Sequence, residues 1–367
     1  MSFIYTKINF RIKDQIRDTS SFCVNKALYD KVADGVSWEL SSCSKPVSKL
    51  TSPKDLEIIK SSILPPRKIN PWFITGLTDA DGTFSIIVRI WEGKLSFSGH
   101  FEIVGKTNKA TIDTFSAIKE YFGDVGEIRT RGNTLSYVVI KREDIKRIIK
   151  HYDQYPLQTT KWTYYIIFKK SMEILYNNPR LSNEHKNLLL NLKSYFKTGL
   201  SDKILLYIDQ SEYLSLNLSL NLPKYIKPKK LLDEWIAGFV EGDGSFNISI
   251  SRSNSRRIKT RVLPEFSIVQ LEKDLHILEL IKIRLNVGII SRRSAKEDVF
   301  RLKVNNLNEN LNVIAPLFFK HLYNFGKGLD LILWYDILVM MQKKYHLSDS
   351  GIKLILENIE LIKKNRI

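Results

Sequence analysis

Beginning at Phe84 the chain alternates, with Phe84, Ile86, Val88 and Ile90 on one parity and Ser85, Ile87 and Arg89 on the other. That is the two-residue period of a half-buried strand. The alternation returns at Phe246, Ile248 and Ile250, set against Asn247, Ser249 and Ser251. Each strand follows a segment of helical spacing, Trp72 to Ala80 in one case and Glu234 to Gly242 in the other. Glu127, Arg129 and Arg131 alternate on a third strand, and Arg301 and Lys303 lie on a later one. The pattern predicts an α+β fold in which each half runs helix, two strands, helix, two strands, helix. Each sheet has one apolar face and one polar, partly basic face. Leu331 to Met341 is the most apolar stretch, but Asp336 interrupts it, and it is far shorter than the roughly 20 residues a bilayer requires. A core helix is expected there, and no membrane partner. Ser182 and Ser348 each precede helical sequence and are expected N-caps.

The two halves are copies. Ile74 to Gly82 (ITGLTDADG) and Ile236 to Gly244 (IAGFVEGDG) are offset by 162 residues. Phe101, Ile103 and Val104 match Phe266, Ile268 and Val269 at an offset of 165, and Val125, Gly126 and Ile128 match Val287, Gly288 and Ile290 at 162. Lys161 matches Lys327, and Leu181-Ser182 matches Leu347-Ser348, both at 166. Ordered matches with so little drift indicate internal duplication. Ser215 to Leu222 (SLNLSLNL), followed by Pro223, Pro228, Lys227, Lys229 and Lys230, reads as a linker. The expected organisation is an N-terminal extension of unclear role over 1–65, a first repeat over 66–200, a linker over 201–230 and a second repeat over 231–367.

Composition narrows the partner. There are 57 Lys plus Arg against 39 Asp plus Glu, a formal charge of +18, and so large a basic surplus points to a polyanion. Nucleic acid is the leading class and an anionic membrane the second. The length suggests about two domains, and a hydrophobic content of 43% can bury a core in each. Cys23 and Cys43 are the only cysteines, which excludes a disulfide scaffold or a cysteine-built zinc site. Lys7, Arg11, Lys13 and Arg17 are interrupted by Asp14 and Asp18 with no apolar region after them, so no cleavable targeting signal is expected. Abundant Ile, Lys, Asn, Tyr and Phe, whose codons are A/T-rich, suggest an A/T-rich genome such as that of an organelle.

The chemistry concentrates where the first helix of each copy ends. Gly76 and Ala80 lie four apart on one helix face, as do Gly238 and Gly242, and small residues at that spacing let two helix backbones approach. If the two helices pack on each other, Asp81 and Asp243 come together at their C-terminal ends. Two carboxylates there repel unless a cation lies between them, and Mg2+ suits hard oxygen ligands with open positions. Acids facing phosphates in a basic protein point to metal-assisted phosphodiester hydrolysis. A calcium-loop reading of DADG fails, because Phe84 and the strand replace the ligands such a loop needs. For DNA contact the polar strand faces nominate Ser85, Arg89, Arg129, Arg131, Asn247, Ser249, Ser251, Arg252, Arg301 and Lys303. The cluster Arg252, Arg256, Arg257, Lys259 and Arg261 reads as a hairpin tip on phosphates. The six His residues show no metal-ligand spacing, and Trp72 and Trp235 read as packing residues.

Both nine-residue segments resemble the LAGLIDADG motif of homing endonucleases, and the likeness covers Asn70 to Arg366. The phrases INPWFITGLTDADGTFSI, YPLQTTK and HLSDSG resemble the fungal mitochondrial, intron-encoded branch. The first copy departs from the motif at Thr75 and Thr78, the second at Phe239, Val240, Glu241 and Gly242. The resemblance implies a monomer of two αββαββα halves, packed through the motif helices, whose antiparallel sheets form a saddle over double-stranded DNA. It implies metal binding by Asp81 and Asp243 with the carbonyls of Ala80 and Gly242, and a capping or interface role for Asp79 and Glu241. It places Lys161 and Lys327 near the scissile phosphates and gives Gln270 a part in the water network, although its repeat partner is Gly105. Mg2+ or Mn2+ would support cleavage, and Ca2+ binding only. The implied reaction is double-strand cleavage across the minor groove at a long asymmetric target, with short 3′ overhangs. The implied outcome is intron mobility in the mitochondrion. A maturase acting on its own intron RNA is the alternative, and a transcription regulator a second one; neither would require the acid pair.

Overall fold

The computed structural model describes residues 68–208, 222–252, 258, 260–294, 297–322 and 326–366. The extension over 1–65 with both cysteines, the stretch 209–221 of the expected linker, and Arg256, Arg257 and Lys259 lie outside the described residues. The first repeat runs α1 (Pro71–Asp81), β1 (Gly82–Trp91), β2 (Lys94–Lys106), α2 (Lys109–Tyr121), β3 (Glu127–Arg131), β4 (Thr134–Val139) and α3 (Arg142–Gln154). Two further helices, α4 (Lys161–Asn177) and α5 (Asn183–Ser194), extend it, and a short α6 (Asp202–Tyr207) leads toward the second repeat.

The second repeat runs α7 (Asp233–Asp243), β5 (Gly244–Arg252), β6 (Thr260–Leu271), α8 (Leu275–Leu285), β7 (Ile289–Ser294) and β8 (Glu297–Val304). It closes with α9 (Ala315–Leu322), α10 (Gly328–Gln342) and α11 (Asp349–Arg366). The strand orders β1-β2-β4-β3 and β5-β6-β8-β7 are the same, so the duplication read in the sequence is a duplication of topology.

Local chemistry sets the element ends. Asn70 caps α1 by accepting from the backbone N–H of Trp72 at 2.8 Å, with Pro71 pre-set for the first turn. Ser182 and His185 form a reciprocal capping box on α5, and Ser348 accepts from Gly351 N at 3.1 Å at the start of α11. The Leu331–Met341 stretch lies within α10 and is almost wholly buried. The burial of Asp336 among these apolar side chains pushes its carboxyl up to about 7. Among the described residues no helix is long and apolar enough to cross a membrane.

Each sheet lays its apolar face on a matched aromatic group. Phe84 meets Phe101, Tyr152, Tyr165 and Phe168 in the first half, and Phe246 meets Phe266, Phe318 and Trp334 in the second. One continuous core spans both halves, joined through α1 and α7, whose contact is the most extensive between described helices. Glycine makes that contact possible. A Cβ on Gly76 would land on the carbonyl oxygen of Trp235, and one on Gly238 on that of Phe73. The obstacles are backbone atoms, which no rotamer change relieves. Gly238→Val is therefore expected to lower the free energy of unfolding by about 3 kcal/mol or more, read by urea denaturation.

Candidate active site and nucleic-acid face

The pairing of α1 with α7 brings Asp81 and Asp243 to the same end of the interface. A Cβ at Gly242 would lie 2.7 Å from the Oδ2 of Asp81 and against the Cβ of Ala80, so the small residues on both helices let the carboxylates meet. Desolvation raises both carboxyls. Asp243, which also faces the charge of Asp81, reaches about 6, and Lys327 and Lys161 pull both back down. Gln270, at the end of β6, donates from Nε2 to the Oδ2 of Asp243.

The two repeat lysines do something the sequence did not indicate. Lys161 Nζ donates to the carbonyls of Thr78, Ala80 and Gly82 at 2.8, 3.1 and 2.7 Å. Lys327 Nζ donates to those of Val240, Gly242 and Gly244 at 2.9, 2.6 and 2.7 Å. Each ammonium spends its three donors on the C-terminal carbonyls of a motif helix, where the helix dipole is negative. Burial lowers both lysines, and the surrounding acids oppose that shift. Neither ammonium retains an N–H for a water or phosphate, and the Ala80 and Gly242 carbonyls, expected as extra metal ligands, already have cationic partners. In this arrangement the lysines reach the acids through charge rather than through hydrogen bonds to substrate.

Asp79 and Glu241 are interface groups. Asp79 accepts from the backbone N–H of Gln158 and Thr159 at 2.8 and 3.2 Å, from Thr159 Oγ1 at 2.6 Å, and from Trp235 Nε1 of the opposite helix at 2.9 Å. Glu241 accepts from Lys327 N at 3.0 Å. Burial raises Asp79 to about 6 and Glu241 to about 7. Trp235, read from the sequence as packing alone, is thus also a donor across the interface. Its counterpart in the first copy is Phe73, whose side chain has no N–H to give.

The surroundings of the two acids differ. Near Asp79 the loop after β6 is stitched to the start of α4: Asp274 accepts from Thr160 N and Oγ1 at 2.7 and 2.9 Å. Tyr225, which precedes α7, donates to Gln158 O and lies 2.8 Å from His276 Nε2. On the pseudo-equivalent side a cavity of about 330 Å3 stays open, lined by Asp81, Gly105, Thr111, Glu241, Lys327 and Asp330 among others. Gly105 occupies the position of Gln270 and gives Asp81 no amide. A Cβ there would lie 2.8 Å from the Cγ2 of Thr111. Thr159 and Thr160 lie in the phrase YPLQTTK, but their roles, and those of Tyr225 and Asp274, left no mark in periodicity or spacing.

The sheets' polar faces follow the strand register. In the first, Thr83, Ser85, Ile87 and Arg89 oppose Glu102, His100, Ser98 and Ser96, with Arg129 and Arg131 on the outer strand β3. Lys193 of α5 reaches this face and donates to Ser85 Oγ at 3.1 Å, a cation the sequence reading missed. In the second, Asn247, Ser249 and Ser251 oppose Glu265, Leu263 and Arg261, and Lys303 opposes Ser267. Arg252 shares the parity of Ile248 and Ile250, so alternation assigns it to the other face from Ser251, contrary to the expectation. Arg301 is on the polar face but is held by Glu265 and Ser267. Arg129 pairs with Glu127 at 2.9 Å, at an exposed site where such a pair contributes little and yields readily to phosphate.

No three-residue cluster of His, Cys, Asp or Glu occurs among the described residues. The donor set is two facing carboxylates, both raised by burial, with the charge of Asp81 raising Asp243 further. Such a pair fits a hard divalent cation whose remaining positions go to water and substrate phosphate, as is usual for Mg2+.

Comparisons agree with this geometry. A family model described as LAGLIDADG endonuclease matches residues 74–172 and 236–338. Probable intron-encoded endonuclease 3 of Neurospora crassa is 28% identical over 292 residues, 78% of this chain and 53% of the relative. The chain thus spans about half the length of that protein. The I-SmaMI LAGLIDADG homing endonuclease bound to cleaved DNA superposes with a TM-score of 0.74 at 26% identity, over 82% of this chain and 99% of the other. I-SmaMI bound to an uncleaved DNA target in the presence of calcium ions gives 0.72 at 26% identity, over 80% and 98%. The Trp235 bond to Asp79 is tested by Trp235→Phe, which restores the residue of the first copy. Leaving the buried carboxylate one donor short is expected to lower stability by about 1–3 kcal/mol in urea denaturation.

Proposed function

We propose, from the premise that this chain belongs to the LAGLIDADG endonuclease family, that it is a site-specific double-strand DNA endonuclease acting on a long asymmetric target. The observation that carries this reading is the meeting of Asp81 and Asp243 at the end of the α1–α7 interface, between two sheets of polar, partly basic face. A divalent cation bound by the two carboxylates would supply Lewis acidity at the scissile phosphate and an activated water. Asp81 and Asp243 hold the reacting groups in place, and the ammonium charges of Lys161 and Lys327 favour their ionised form. Gln270 fixes the orientation of Asp243. The polar strand faces suit the major groove, which admits a two-stranded ribbon and displays its base edges to such side chains.

The unlike halves suit a non-palindromic site read by a monomer, and the intron-encoded relative supports intron mobility as the biological outcome. An organellar, mitochondrial setting is supported by the abundance of residues with A/T-rich codons and by the resemblance of the motif flanks. A purely RNA-binding splicing role would leave the carboxylate pair and its glutamine without a purpose.

The decisive experiment offers the protein a duplex spanning the intron-free junction of its host gene, with Mg2+. Cleavage is expected at the intron insertion site, and none when Mg2+ is chelated. Asp81→Asn and Asp243→Asn should each bind that duplex yet fail to make the double-strand break; a near-parental rate in either would remove the catalytic assignment. Because only Asp243 has a glutamine, Gln270→Ala should slow cleavage by about 10–100-fold and unevenly. A singly nicked intermediate of supercoiled plasmid should then accumulate beyond the parental level.

A further inference from the structure

The β1–β2 hairpin ends in a two-residue turn at Glu92 and Gly93, both at positive φ, 48° and 65°. This is the turn geometry that matches the twist of paired strands. Trp91 closes β1 opposite Lys94 and has the parity of Thr83, Ser85, Ile87 and Arg89, so its indole leaves the sheet on the polar face. It is 72% exposed. The turn is held in place: Tyr207 of α6 donates from its hydroxyl to the carbonyl of Gly93 at 2.6 Å. Thus the connector between the repeats fixes the hairpin tip, and the indole is presented from a braced turn, with Arg89 and Lys94 beside it on the same face.

The equivalent end of the other sheet is built differently. There β5 and β6 are joined across residues 253–259, and the segment from Arg252 to Arg261 reads RSNSRRIKTR, with five cations and no aromatic residue. One connection therefore carries an aromatic residue at a tight turn, and the other is basic in sequence.

We propose that Trp91 is a DNA-contacting residue at the outer end of the first sheet, where its indole lies against the apolar edge of the bases. The thymine methyl is the apolar group that the major groove offers at that edge. This rests on the DNA-endonuclease reading and adds a specificity determinant to it. A single exposed tryptophan would not by itself need a partner. The assignment comes from its register with the polar face, the cations on either side of it, and the brace that holds its turn. An indole contact also differs in kind from a phosphate contact: it releases no counterions, so it adds affinity without steepening the salt dependence. The two ends of the target are then read by different physics, a base-edge contact at one and phosphate charge at the other.

The test combines tryptophan emission with binding, using the full chain, Ca2+ and the intron-free junction duplex. The parental protein must first bind that duplex with a steep salt dependence; if it does not, the endonuclease reading fails and this assignment with it. Given binding, duplex addition should quench or shift the emission of an exposed indole, and Trp91→Phe should lose most of that change. Trp235 and Trp334 are buried and Trp72 and Trp162 half-buried; Trp38 lies outside the described residues, so parent and variants are compared in a Trp38→Phe background. Trp91→Ala should weaken binding by about 5–30-fold, the scale of losing part of one large side chain's apolar burial, with an unchanged slope of log affinity against log salt. Replacing the outermost contacted thymine by uracil should weaken the parental protein but not the alanine variant. An emission change in Trp91→Phe equal to the parent's overturns the proposal. So does an unaltered affinity in Trp91→Ala, or a salt slope that falls as it would for a lost phosphate contact. Since the side chain is solvent-exposed, both variants should keep the parental thermal melt, which separates loss of contact from loss of fold.

Discussion

Everything in this molecule depends on how closely two helix backbones can approach. At Gly76 and Gly238 the facing atoms are backbone carbonyls, so at these two positions no side chain lies between the helices that could shrink or reorient to admit a larger residue. The constraint does two things at once. It joins the cores of the repeats into one, and it brings the ends of α1 and α7 together so that Asp81 and Asp243 face the same small space. A wider separation would part the paired acids as well as the shared core.

That geometry concentrates like charge at a helix end where the dipole is already negative, and the fold answers with the two lysines. Each ammonium satisfies three C-terminal carbonyls and holds a positive charge behind a carboxylate. Asp79 and Glu241 in turn attach each motif helix to the segment carrying its lysine, through Thr159 in the first repeat and the Lys327 backbone in the second. The site is therefore a closed electrostatic arrangement of paired acids, paired ammonium groups and buried helix ends. Its free charge lies in the two carboxylates toward the sheets' side.

Duplication produced this arrangement twice, and divergence has made the copies unequal at particular atoms. Asp243 has Gln270, and Asp81 has Gly105 beside an open cavity. Asp79 is bridged to the opposite helix by Trp235, while Glu241 faces Phe73's helix without that donor. One hairpin tip is a braced turn bearing Trp91, and the other is a longer basic connection. A symmetric frame with asymmetric details is the form expected of a protein that handles two antiparallel strands of unlike sequence.

The α+β pattern, the duplication, the helix faces bearing Gly76 and Gly238, the serine caps and the acids at the helix ends could all be read from the chain. Each is either a local periodicity or an identity repeated at a near-constant offset, and neither depends on what lies elsewhere in space. The +18 charge likewise points to a polyanion without reference to the fold. What required the tertiary structure was the choice of partner for each polar group. Lys161 and Lys327 turn onto main-chain carbonyls rather than toward open solvent, and Arg301 is retained by Glu265. Trp235 donates across the interface, Tyr225 and Asp274 close one flank, and Trp91 projects from a turn that Tyr207 braces. Residues such as Lys161 and Thr78, or Trp235 and Asp79, lie far apart in the chain, and no local pattern encodes their meeting. Backbone packing decides it, because only after α1 and α7 have seated against each other does each buried donor have a definite set of acceptors within reach.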